Sequence, residues 1–416
     1  MDQAIAIVDI GKTRSKLTLW AADGELLAQR DYANAVGDQS PRQLDLHGIA
    51  GWLKSALAEA ARGARITAIV PVGHGAAGVL MEGETPLCAL DYEAEPPHEI
   101  TAAYDPLRDR FEATLSPRLA GGLNLGLQLF WLEQLHADLW PRSAHFLLWP
   151  QYWAWFLSGE RASEVTSLGC HSDLWRPLEH RFSDLAVARG WAERLAPLHG
   201  ADEVLGPVRP ALAAELGLPR DCRVHCGLHD SNAALHAARG FAELADRPFA
   251  VVSTGTWFVC LAAGGRGPVF YDPSQDMLAN VDVAGRATPT ARFMGGRDYE
   301  AWMGGALGAG SDPSLLGEAA ALADWRSAPG PLRATRAALE LARRVDRALG
   351  LIAAEGPILI DGRFAADPAF AAALARLRPI QPVFRSAIVD GVAQGARRLA
   401  SPASSAALQL ERVASM

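Results

Sequence analysis

The chain of 416 residues is half apolar and carries a net charge of −8 at pH 7, with an isoelectric point near 5.8. Its length predicts two or three domains with sizeable cores, while the negative charge and the absence of a Lys- and Arg-rich block argue against nucleic acid or an anionic membrane surface as a partner. No stretch approaches the ~20 apolar residues of a membrane-spanning helix, so we expect a cytoplasmic protein.

The first predicted element is a β-hairpin in the stretch Ala4–Trp20. An apolar strand ends at Asp9, a polar turn covers Gly11–Ser15, and a second apolar strand follows. Backbone N–H groups in Gly-containing turns form anion-binding concavities, so this turn is either an ordinary hairpin turn or a phosphate-binding one. A P-loop is excluded, because that pattern needs glycine where the chain has Ala6 and a loop where the apolar strand continues.

Three further elements are predicted after this hairpin. The turn Asp23-Gly24 leads to a third strand over 25–30, His47–Arg62 has helical periodicity, and Ile66–Val70 is a short apolar strand. That strand runs into Val72–Gly78, which we expect to be an irregular turn because of its glycines.

An aromatic-rich region follows. Gly121–Trp140 predicts a long helix, and Trp149, Trp153 and Trp155 come shortly before Gly159, which predicts a helix end. Aromatic residues at this density favour a packed core, although aromatic faces also stack on sugar rings.

Asp230 stands out by its position. Arg223–Leu228 predicts a strand and Ser231–Ala238 a helix, and α/β proteins place functional groups where a strand opens into a helix. The alternative is that Asp230 only caps the helix. His229-Asp230-Ser231 also has the composition of a hydrolase triad, but adjacent residues cannot converge as a triad requires, and no G-x-S-x-G elbow is present.

The second half of the chain repeats the opening plan. Phe249–Gly264 predicts another hairpin, with Ser253-Thr254-Gly255-Thr256 in its turn. Two such hairpins predict two similar lobes, residues 1–240 and 241–416, with a nucleotide phosphate held between them. The remaining predictions are a Gly-rich segment at Gly295-Gly296-Arg297, helices over 314–354, 367–377 and 390–400, a strand over 357–360, a turn at Asp361-Gly362-Arg363, and a loosely attached end at 401–416.

The five cysteines are expected to be reduced, buried thiols. They are odd in number and scattered, and only Cys222 and Cys226 are close in sequence. No second pair of His or Cys residues completes a zinc pattern.

Five segments, in the right order across nearly the whole chain, resemble motifs of the FGGY family of carbohydrate kinases, within the actin/hexokinase/Hsp70 superfamily. They are Asp9-Ile10-Gly11-Lys12-Thr13 for the first phosphate segment, Leu157-Ser158-Gly159-Glu160 for a recurrent L-T-G stretch, Gly227-Leu228-His229-Asp230-Ser231 for G-x-x-D-[SA], Ser253-Thr254-Gly255-Thr256-Trp257 for the second phosphate segment, and Ile360–Asp367 for the adenosine segment. The resemblance implies an α/β fold with two ribonuclease-H-like, actin-like ATPase lobes and an active-site cleft between them.

The resemblance also implies an activity, the transfer of the γ-phosphoryl group of ATP to a terminal hydroxyl of a small sugar, expected to be a ketose, with Mg²⁺ as cofactor. It makes Asp230 the catalytic base, and it places Asp9, together with Asp230, on the magnesium side, where a carboxylate beside a phosphate turn can anchor the ion. It assigns Gly11, Lys12, Thr13, Ser253, Thr254, Gly255 and Thr256 to the phosphates, Gly295, Gly296, Gly362, Arg363 and Asp367 to the rest of the nucleotide, and His74, Gly75, Asp91, Tyr92 and Asp230 to the sugar. A histidine beside glycine can also simply close a loop.

Three residues depart from the family pattern. Lys12 replaces a small hydroxyl residue, Asp361 replaces the first glycine of the adenosine segment, and Asp367 stands where asparagine is usual. An extra carboxylate near the nucleoside would weaken ATP binding or change the base preference. A catalytically degenerate sugar- or nucleotide-binding sensor on the same fold is therefore the rival hypothesis, whereas a chaperone-like ATPase would need a peptide-binding module. The sequence leaves open whether the acceptor is L-fuculose, L-rhamnulose, xylulose, ribulose or glycerol, and it is compatible with a homodimer.

Overall fold

The structure is a computed structural model that describes residues 2–35, 37, 40–140, 144–304, 310–386, 390–401 and 410–414. Its strands are β1 Gln3–Ile10, β2 Arg14–Ala21, β3 Leu26–Ala33, β4 Arg65–Gly73, β5 Gly78–Glu82, β6 Thr85–Cys88, β7 Ala144–Leu148, β8 Trp175–Arg176, β9 Arg181–Phe182, β10 Val204–Pro207, β11 Arg223–His225, β12 Leu228–His229, β13 Phe249–Thr254, β14 Phe258–Ala263, β15 Met277–Val281, β16 Ala287–Phe293, β17 Ile358–Gly362, β18 Val383–Ser386 and β19 Leu410–Arg412.

The helices connect these strands. They are α1 Leu46–Gly63, α2 His98–Tyr104, α3 Phe111–Thr114, α4 Leu125–Leu135, α5 Trp149–Ser158, α6 Val165–Leu168, α7 Asp184–Ala188, α8 Pro210–Leu216, α9 Asp230–Ala238, α10 Gly295–Met303, α11 Leu316–Ala321, α12 Gly330–Leu351, α13 Pro368–Leu377 and α14 Gly391–Ala400. Every helix in the described ranges is too short or too polar to span a lipid bilayer.

The chain divides into two compact units. Unit 1 comprises Met1–Ala237, Ala279–Ala287 and Asp390–Ala406, and unit 2 comprises Ala238–Leu278, Thr288–Val389 and Ala407–Met416. Residue 240, the boundary expected from the sequence, lies close to the first transition between the units. The division of function between residues 1–240 and 241–416 stays a prediction.

The main sheet of unit 1 has the strand order β10-β11-β4-β1-β2-β3, with β12 also paired to β4. β1 and β2 are antiparallel, whereas β4 runs parallel to β1, and β11 and β12 run parallel to β4. Both faces of β1 are buried, because Ala4, Ala6 and Val8 belong to one hydrophobic cluster and Ile5 and Ile7 belong to another. This alternation follows from the two-residue period of a strand and explains why β1 reads as a continuous apolar run.

The second main sheet repeats this plan. Its order is β15-β16-β14-β13-β17-β18-β19, with β13 antiparallel to β14, β17 parallel to β13, and β18 parallel to β17. Alanine and leucine residues of α12 and α13 fill the core beside the sheet. Both predicted hairpins are thus confirmed, and in each unit a parallel strand pairs with the first strand of the hairpin.

Three sequence-based expectations about secondary structure were wrong. The helix predicted over 121–140 is limited to α4, because Gly121 has a φ of +55° and the chain before Leu125 is irregular. The strand predicted over 223–228 is broken into β11 and β12 at Gly227, whose φ is +77° and whose added Cβ would lie 2.1 Å from the Pro71 carbonyl oxygen. The turn predicted over 72–78 is shorter, because β4 extends to Gly73.

Two further expectations concern the ends of segments and the aromatic region. Leu410–Arg412 is not loosely attached but pairs with β18, while 402–409 and 415–416 lie outside the described residues. Trp149 and Trp153 are buried with their rings 5.5 Å apart, so the core interpretation of the aromatic run is confirmed. The five cysteines are buried thiols that form no disulfide in the described part of the chain, as predicted.

Helix α14 makes a close contact that requires glycine. A Cβ added at Gly395 would lie 1.8 Å from the carbonyl oxygen of Ala233 in α9, whereas a Cβ added at Gly51 on the exposed side of α1 would meet nothing within 4 Å. We expect Gly395→Ala to lower the free energy of unfolding by about 1–3 kcal/mol through overpacking. Gly51→Ala, the matched control, should raise it by up to about 1 kcal/mol through helix propensity. Urea denaturation measures both changes, and equal effects of the two substitutions would contradict the tight contact.

Candidate active site

Three parallel strands of unit 1 end side by side and define the candidate site. Ile10 at the end of β1 lies opposite Gly73 at the end of β4, and Gly73 lies opposite His229 at the end of β12. The chain therefore brings Asp9 and the residues that follow Gly73 and His229 to one edge of the sheet. In open α/β sheets, ligands bind at the carboxyl ends of parallel strands.

Asp9 lies in a cluster of carboxylates that shares one lysine. Its Oδ2 is 3.7 Å from Nζ of Lys16, the residue opposite it on β2, and this Nζ donates a hydrogen bond to Oδ2 of Asp390 at 2.5 Å. Burial raises the pKa of Asp9 to about 7; the charges of Asp230 and Asp390 also raise it, and Lys16 lowers it. Sequence reasoning missed both Lys16 and Asp390. The hairpin register would have found Lys16, but no local signal links Asp390 to Asp9.

The turn after β1 is held by a residue that sequence reasoning also missed. Nδ2 of Asn34 donates to the carbonyl oxygens of Gly11 at 2.7 Å and of Lys12 at 3.2 Å. The backbone N–H of Asn34 donates to the carbonyl oxygen of Thr13 at 3.0 Å. The hydroxyl of Ser15 in turn donates to Oδ1 of Asn34 at 2.7 Å. Asn34 therefore ties the carbonyl groups of the predicted phosphate turn to the end of β3.

Lys12 is placed differently from its expected role. Its Nζ does not stand free at the turn but lies 3.0 Å from Oδ1 of Asp91 and 2.5 Å from Oε2 of Glu93. Asp91 is fully buried, and Nε of Arg42 lies 3.0 Å from its Oδ2. Both carboxylate oxygens of Asp91 therefore lie within ion-pair distance of cations of the chain itself, and the sugar-binding role of this residue stays a prediction.

The carboxylate of Asp230 is held on one side and open on the other. Its Oδ1 accepts hydrogen bonds from the backbone N–H of Ser231 at 2.5 Å and from the Ser231 hydroxyl at 3.2 Å, and Nε2 of His229 lies 3.2 Å away. Within the described ranges no group hydrogen-bonds Oδ2. A capping side chain accepts from the second or third N–H of its helix, so the bond to the adjacent Ser231 argues against a purely capping role.

His74 presents an unpaired ring nitrogen near this carboxylate. Its Nδ1 donates to the carbonyl oxygen of Gly75 at 2.8 Å, and Nε2 is buried with no hydrogen-bond partner in the described part of the chain. Burial lowers the pKa of His74, which keeps the ring neutral and its Nε2 an acceptor. Burial raises the pKa of Tyr92 to about 12, and its ring meets the ring of His74 edge-on, with 5.5 Å between the ring centres.

Gly75 allows Cys170 and His229 to approach the backbone closely, because it has no side chain. A Cβ at this position would lie 2.7 Å from Sγ of Cys170 and 2.9 Å from Nε2 of His229. His229 is in turn supported from behind, because its backbone N–H donates to the hydroxyl of Thr166 at 3.0 Å, and that hydroxyl donates to Oε2 of Glu164 at 2.5 Å. Burial raises the pKa of Glu164 to about 7. Glu164 and Thr166 are supporting residues that the motifs did not single out in this role.

In unit 2, the predicted nucleotide segments are adjacent. Thr254 lies opposite Gly362, which has a φ of +81° and whose added Cβ would be 2.3 Å from the Thr254 carbonyl oxygen. The Thr254 hydroxyl donates to the carbonyl oxygen of Asp361 at 2.6 Å and accepts from the backbone N–H of Phe364 at 2.9 Å. This hydroxyl therefore joins β13 to β17 and is not free for a phosphate. Ser253, at the end of β13, lies opposite Asp361.

The glycines of α10 adjoin the same turn. The backbone N–H of Gly296 donates to the carbonyl oxygen of Thr256 at 3.2 Å, and an added Cβ at Gly296 would lie 2.0 Å from the Gly255 carbonyl oxygen. Gly295 packs against Phe258, where an added Cβ would lie 2.6 Å from the ring. The Gly-rich segment is thus the start of a helix placed against the turn.

Two predicted nucleoside residues serve the fold of unit 2. Oδ1 of Asp367 accepts from the backbone N–H of Phe370 at 2.9 Å, which caps α13, and from the hydroxyl of Ser311 at 2.6 Å. The guanidinium of Arg363 forms an ion pair of 2.8 Å with Glu300. The expectation that Asp367 adds a free carboxylate near the nucleoside is wrong, because this carboxylate caps α13 and interacts with the positive end of the helix dipole.

The described residues contain no cluster of three or more His, Cys, Asp or Glu side chains that could hold a metal ion by themselves. Mg²⁺ commonly takes only one or two carboxylates and completes its shell with phosphate and water. The carboxylates of Asp9 and Asp390 share the single Lys16 cation, and such a surplus of negative charge fits this kind of ion.

Comparison with known proteins finds similarity to carbohydrate kinases. Residues 246–324 and 316–408 match the C-terminal domain of FGGY carbohydrate kinases. The crystal structure of a carbohydrate kinase from Novosphingobium aromaticivorans is 40% identical, with a TM-score of 0.92 over 99% of this chain and 94% of that one. No curated protein matches the chain.

More distant structures share the fold alone. A xylulose kinase from Rhodospirillum rubrum is 18% identical, with a TM-score of 0.78 over 98% of this chain and 93% of its own. A gluconate kinase from Lactobacillus acidophilus is 13% identical, with a TM-score of 0.76 over 99% of this chain and 93% of its own. Fold and similarity together define a two-lobed sugar phosphotransferase. The chain belongs to the FGGY family of carbohydrate kinases, as its motifs predicted.

The raised pKa of Asp9 predicts a pH-dependent stability cost in the metal-free protein. Below about pH 4 the carboxyl group is protonated in both the folded and the unfolded chain. Between about pH 4 and 7 only the unfolded chain releases the proton, so the folded state loses stability as the pH rises. We expect Asp9→Asn to raise the free energy of unfolding by about 1–4 kcal/mol at pH 8 and to have little effect at pH 4.

Urea denaturation at pH 4, 6 and 8 measures this gain. Asp221→Asn, which removes a carboxylate paired with Arg65 on the surface, is the control and should change stability by less than about 1 kcal/mol at each pH. A gain for Asp9→Asn that is independent of pH would rule out the electrostatic cause.

Proposed function

We propose that the protein transfers the γ-phosphoryl group of ATP to a terminal hydroxyl of a small neutral sugar, most consistent with a ketose. The observation that carries this proposal is the carboxylate of Asp230, held at Oδ1 and open at Oδ2. It follows β12 at the sheet edge where β1 and β4 also end, the edge that carries Asp9 and the unpaired Nε2 of His74. Family membership supplies the phosphotransferase class. The roles of individual residues and the choice of ATP are our assignments.

On the acceptor side, Asp230 acts as the general base. Its Oδ2 accepts the proton of the sugar hydroxyl as the oxygen of that hydroxyl bonds to the γ-phosphorus and the bond to ADP breaks. The bonds from Ser231 to Oδ1 hold the carboxylate in one orientation. Nε2 of His74 accepts a hydrogen bond from a second hydroxyl and so orients the sugar.

On the donor side, the Gly-containing turns supply backbone N–H groups. We assign Gly11, Thr13, Ser253, Gly255 and Thr256 to the phosphates. Gly255 borders open space, since an added Cβ would meet nothing nearer than the Trp257 carbonyl oxygen at 3.8 Å.

For the rest of the nucleotide we assign Gly295, Gly296, Gly362 and Arg363, with Thr254 and Asp367 as supports of these segments. Asp9, with Asp230 nearby, would hold Mg²⁺, which when bound neutralises charge on the phosphate oxygens.

The charges of unit 1 favour a neutral acceptor over a sugar acid. In the described residues around Tyr92, the cations Lys12 and Arg42 are paired with Asp91 and Glu93. Neither cation is free to receive a substrate carboxylate, which an aldonate such as gluconate would bring. The xylulose kinases among the structural neighbours make xylulose the first ketose to test.

The proposed activity is tested by ADP release from Mg·ATP against a panel of ketoses, aldoses, polyols and gluconate. Acceleration by a ketose supports the proposal, and acceleration by gluconate alone contradicts the neutral acceptor. Sugar binding without any turnover would instead support the sensor hypothesis.

We expect Asp230→Asn to lower kcat by at least about 10²-fold, because the amide cannot accept the hydroxyl proton. The melting temperature should change little, since the substitution keeps the volume of a partly exposed side chain. Asp221→Asn is the control for loss of a carboxylate elsewhere in unit 1. Turnover like that of the wild type in Asp230→Asn would contradict its role as the base.

A further inference from the structure

The side chain of Lys12 joins two predicted ligand segments of unit 1. The residue belongs to the turn after β1, yet its Nζ lies 3.0 Å from Asp91, 2.5 Å from Glu93 and 4.4 Å from the ring centre of Tyr92. The lysine side chain is only 9% exposed. Its ammonium group therefore contacts the segment 91–93 rather than solvent.

The segment 91–93 depends on that charge. The carboxylate of Asp91 has no exposed surface, and its remaining cation is Nε of Arg42 at 3.0 Å. Withdrawing Lys12 toward a phosphate would leave a buried carboxylate with one cation instead of two, which is strongly unfavourable in a low-dielectric site. The unfavourable free energy of leaving the buried Asp91 carboxylate with a single cation therefore keeps Lys12 in this position.

Tyr92 connects this pair to the acceptor side. Its ring contacts the ring of His74 edge-on, with 5.5 Å between the ring centres, and its carbonyl oxygen accepts from the backbone N–H of Gly122 at 2.8 Å. Lys12 lies over the same Tyr92 ring. The position of Tyr92 against His74 therefore depends on two contacts. One is the Lys12 ammonium over its ring, and the other is the hydrogen bond from the backbone N–H of Gly122.

We propose that Lys12 is a positioning residue for the acceptor sugar and not a ligand of the nucleotide phosphates. It holds Tyr92 and Asp91 against His74, so that the sugar meets a preformed surface. The inference rests on the proposed function only in taking His74 as part of the acceptor site. It reverses the role that the motif implied for Lys12.

The test separates sugar binding from nucleotide binding. In Lys12→Met we expect the Kd of the sugar, measured by calorimetry without nucleotide, and the KM of the sugar to rise by at least about 10-fold, the range for loss of a charged contact. The KM of ATP should stay within about 2-fold. Lys12→Arg, which keeps the charge, should recover most of the sugar affinity.

Lys54→Met is the matched control. Lys54 also pairs with a carboxylate of unit 1, Glu215 at 3.1 Å, but both side chains are substantially exposed, and neither belongs to the site. This variant should leave both KM values unchanged. If Lys12→Met fails to fold, Glu93→Gln replaces it, because Glu93 is exposed and its loss weakens the Lys12 contact without uncovering Asp91. It should weaken sugar binding in the same direction by a smaller factor.

The outcomes are distinguishable. A rise in the KM of ATP with unchanged sugar binding would overturn the inference and restore the phosphate role of Lys12. Unchanged sugar binding in both Lys12→Met and Glu93→Gln would also overturn it. Failure of every sugar to stimulate ADP release by the wild type would refute the proposed function itself, and with it the inference.

Discussion

The parallel pairing of β1, β4 and β12 is the constraint on which the site of unit 1 depends. Because Gly73 pairs with both Ile10 and His229, the ends of three strands are level at one edge of the sheet. This register in turn depends on apolar cover on both faces, which residues of α1 and α5 provide on one side and residues of α14 on the other. The placement of the Asp230 carboxylate, our proposed general base, is therefore decided by packing at a distance from it.

Close contacts between backbone segments at glycines, together with the strand pairing, bring the segments of the candidate site together. Gly227 allows the chain to pass Pro71 and to restart as β12, directly before Asp230. In unit 2, Gly362 lies against Thr254 and Gly296 against Gly255, so the segments that we assign to the nucleotide are adjacent. Each of these contacts leaves no space for a Cβ, which ties the glycines to the assembly of the site rather than to flexibility.

The site concentrates negative charge that the fold compensates only in part. Lys16 is shared between Asp9 and Asp390, and the pKa of Asp9 is raised first by burial and then by the charges of Asp230 and Asp390. Such a cost is typical of functional sites, where a bound cation relieves it. Around Asp91, by contrast, the two cations Lys12 and Arg42 lie within ion-pair distance of the two carboxylates, so the charges of this region are balanced.

The sequence by itself determined both hairpins, the helices over 47–62 and 367–377, the family and the position of Asp230 after a strand, because periodicity and motifs are local properties of the chain. Only the tertiary structure decided that Lys12 pairs with Asp91, that Lys16 meets Asp390, and that the predicted helix over 121–140 shortens to Leu125–Leu135. These outcomes depend on strand register and on packing between residues far apart in the chain, and a local pattern carries no information about which distant charge will lie beside it.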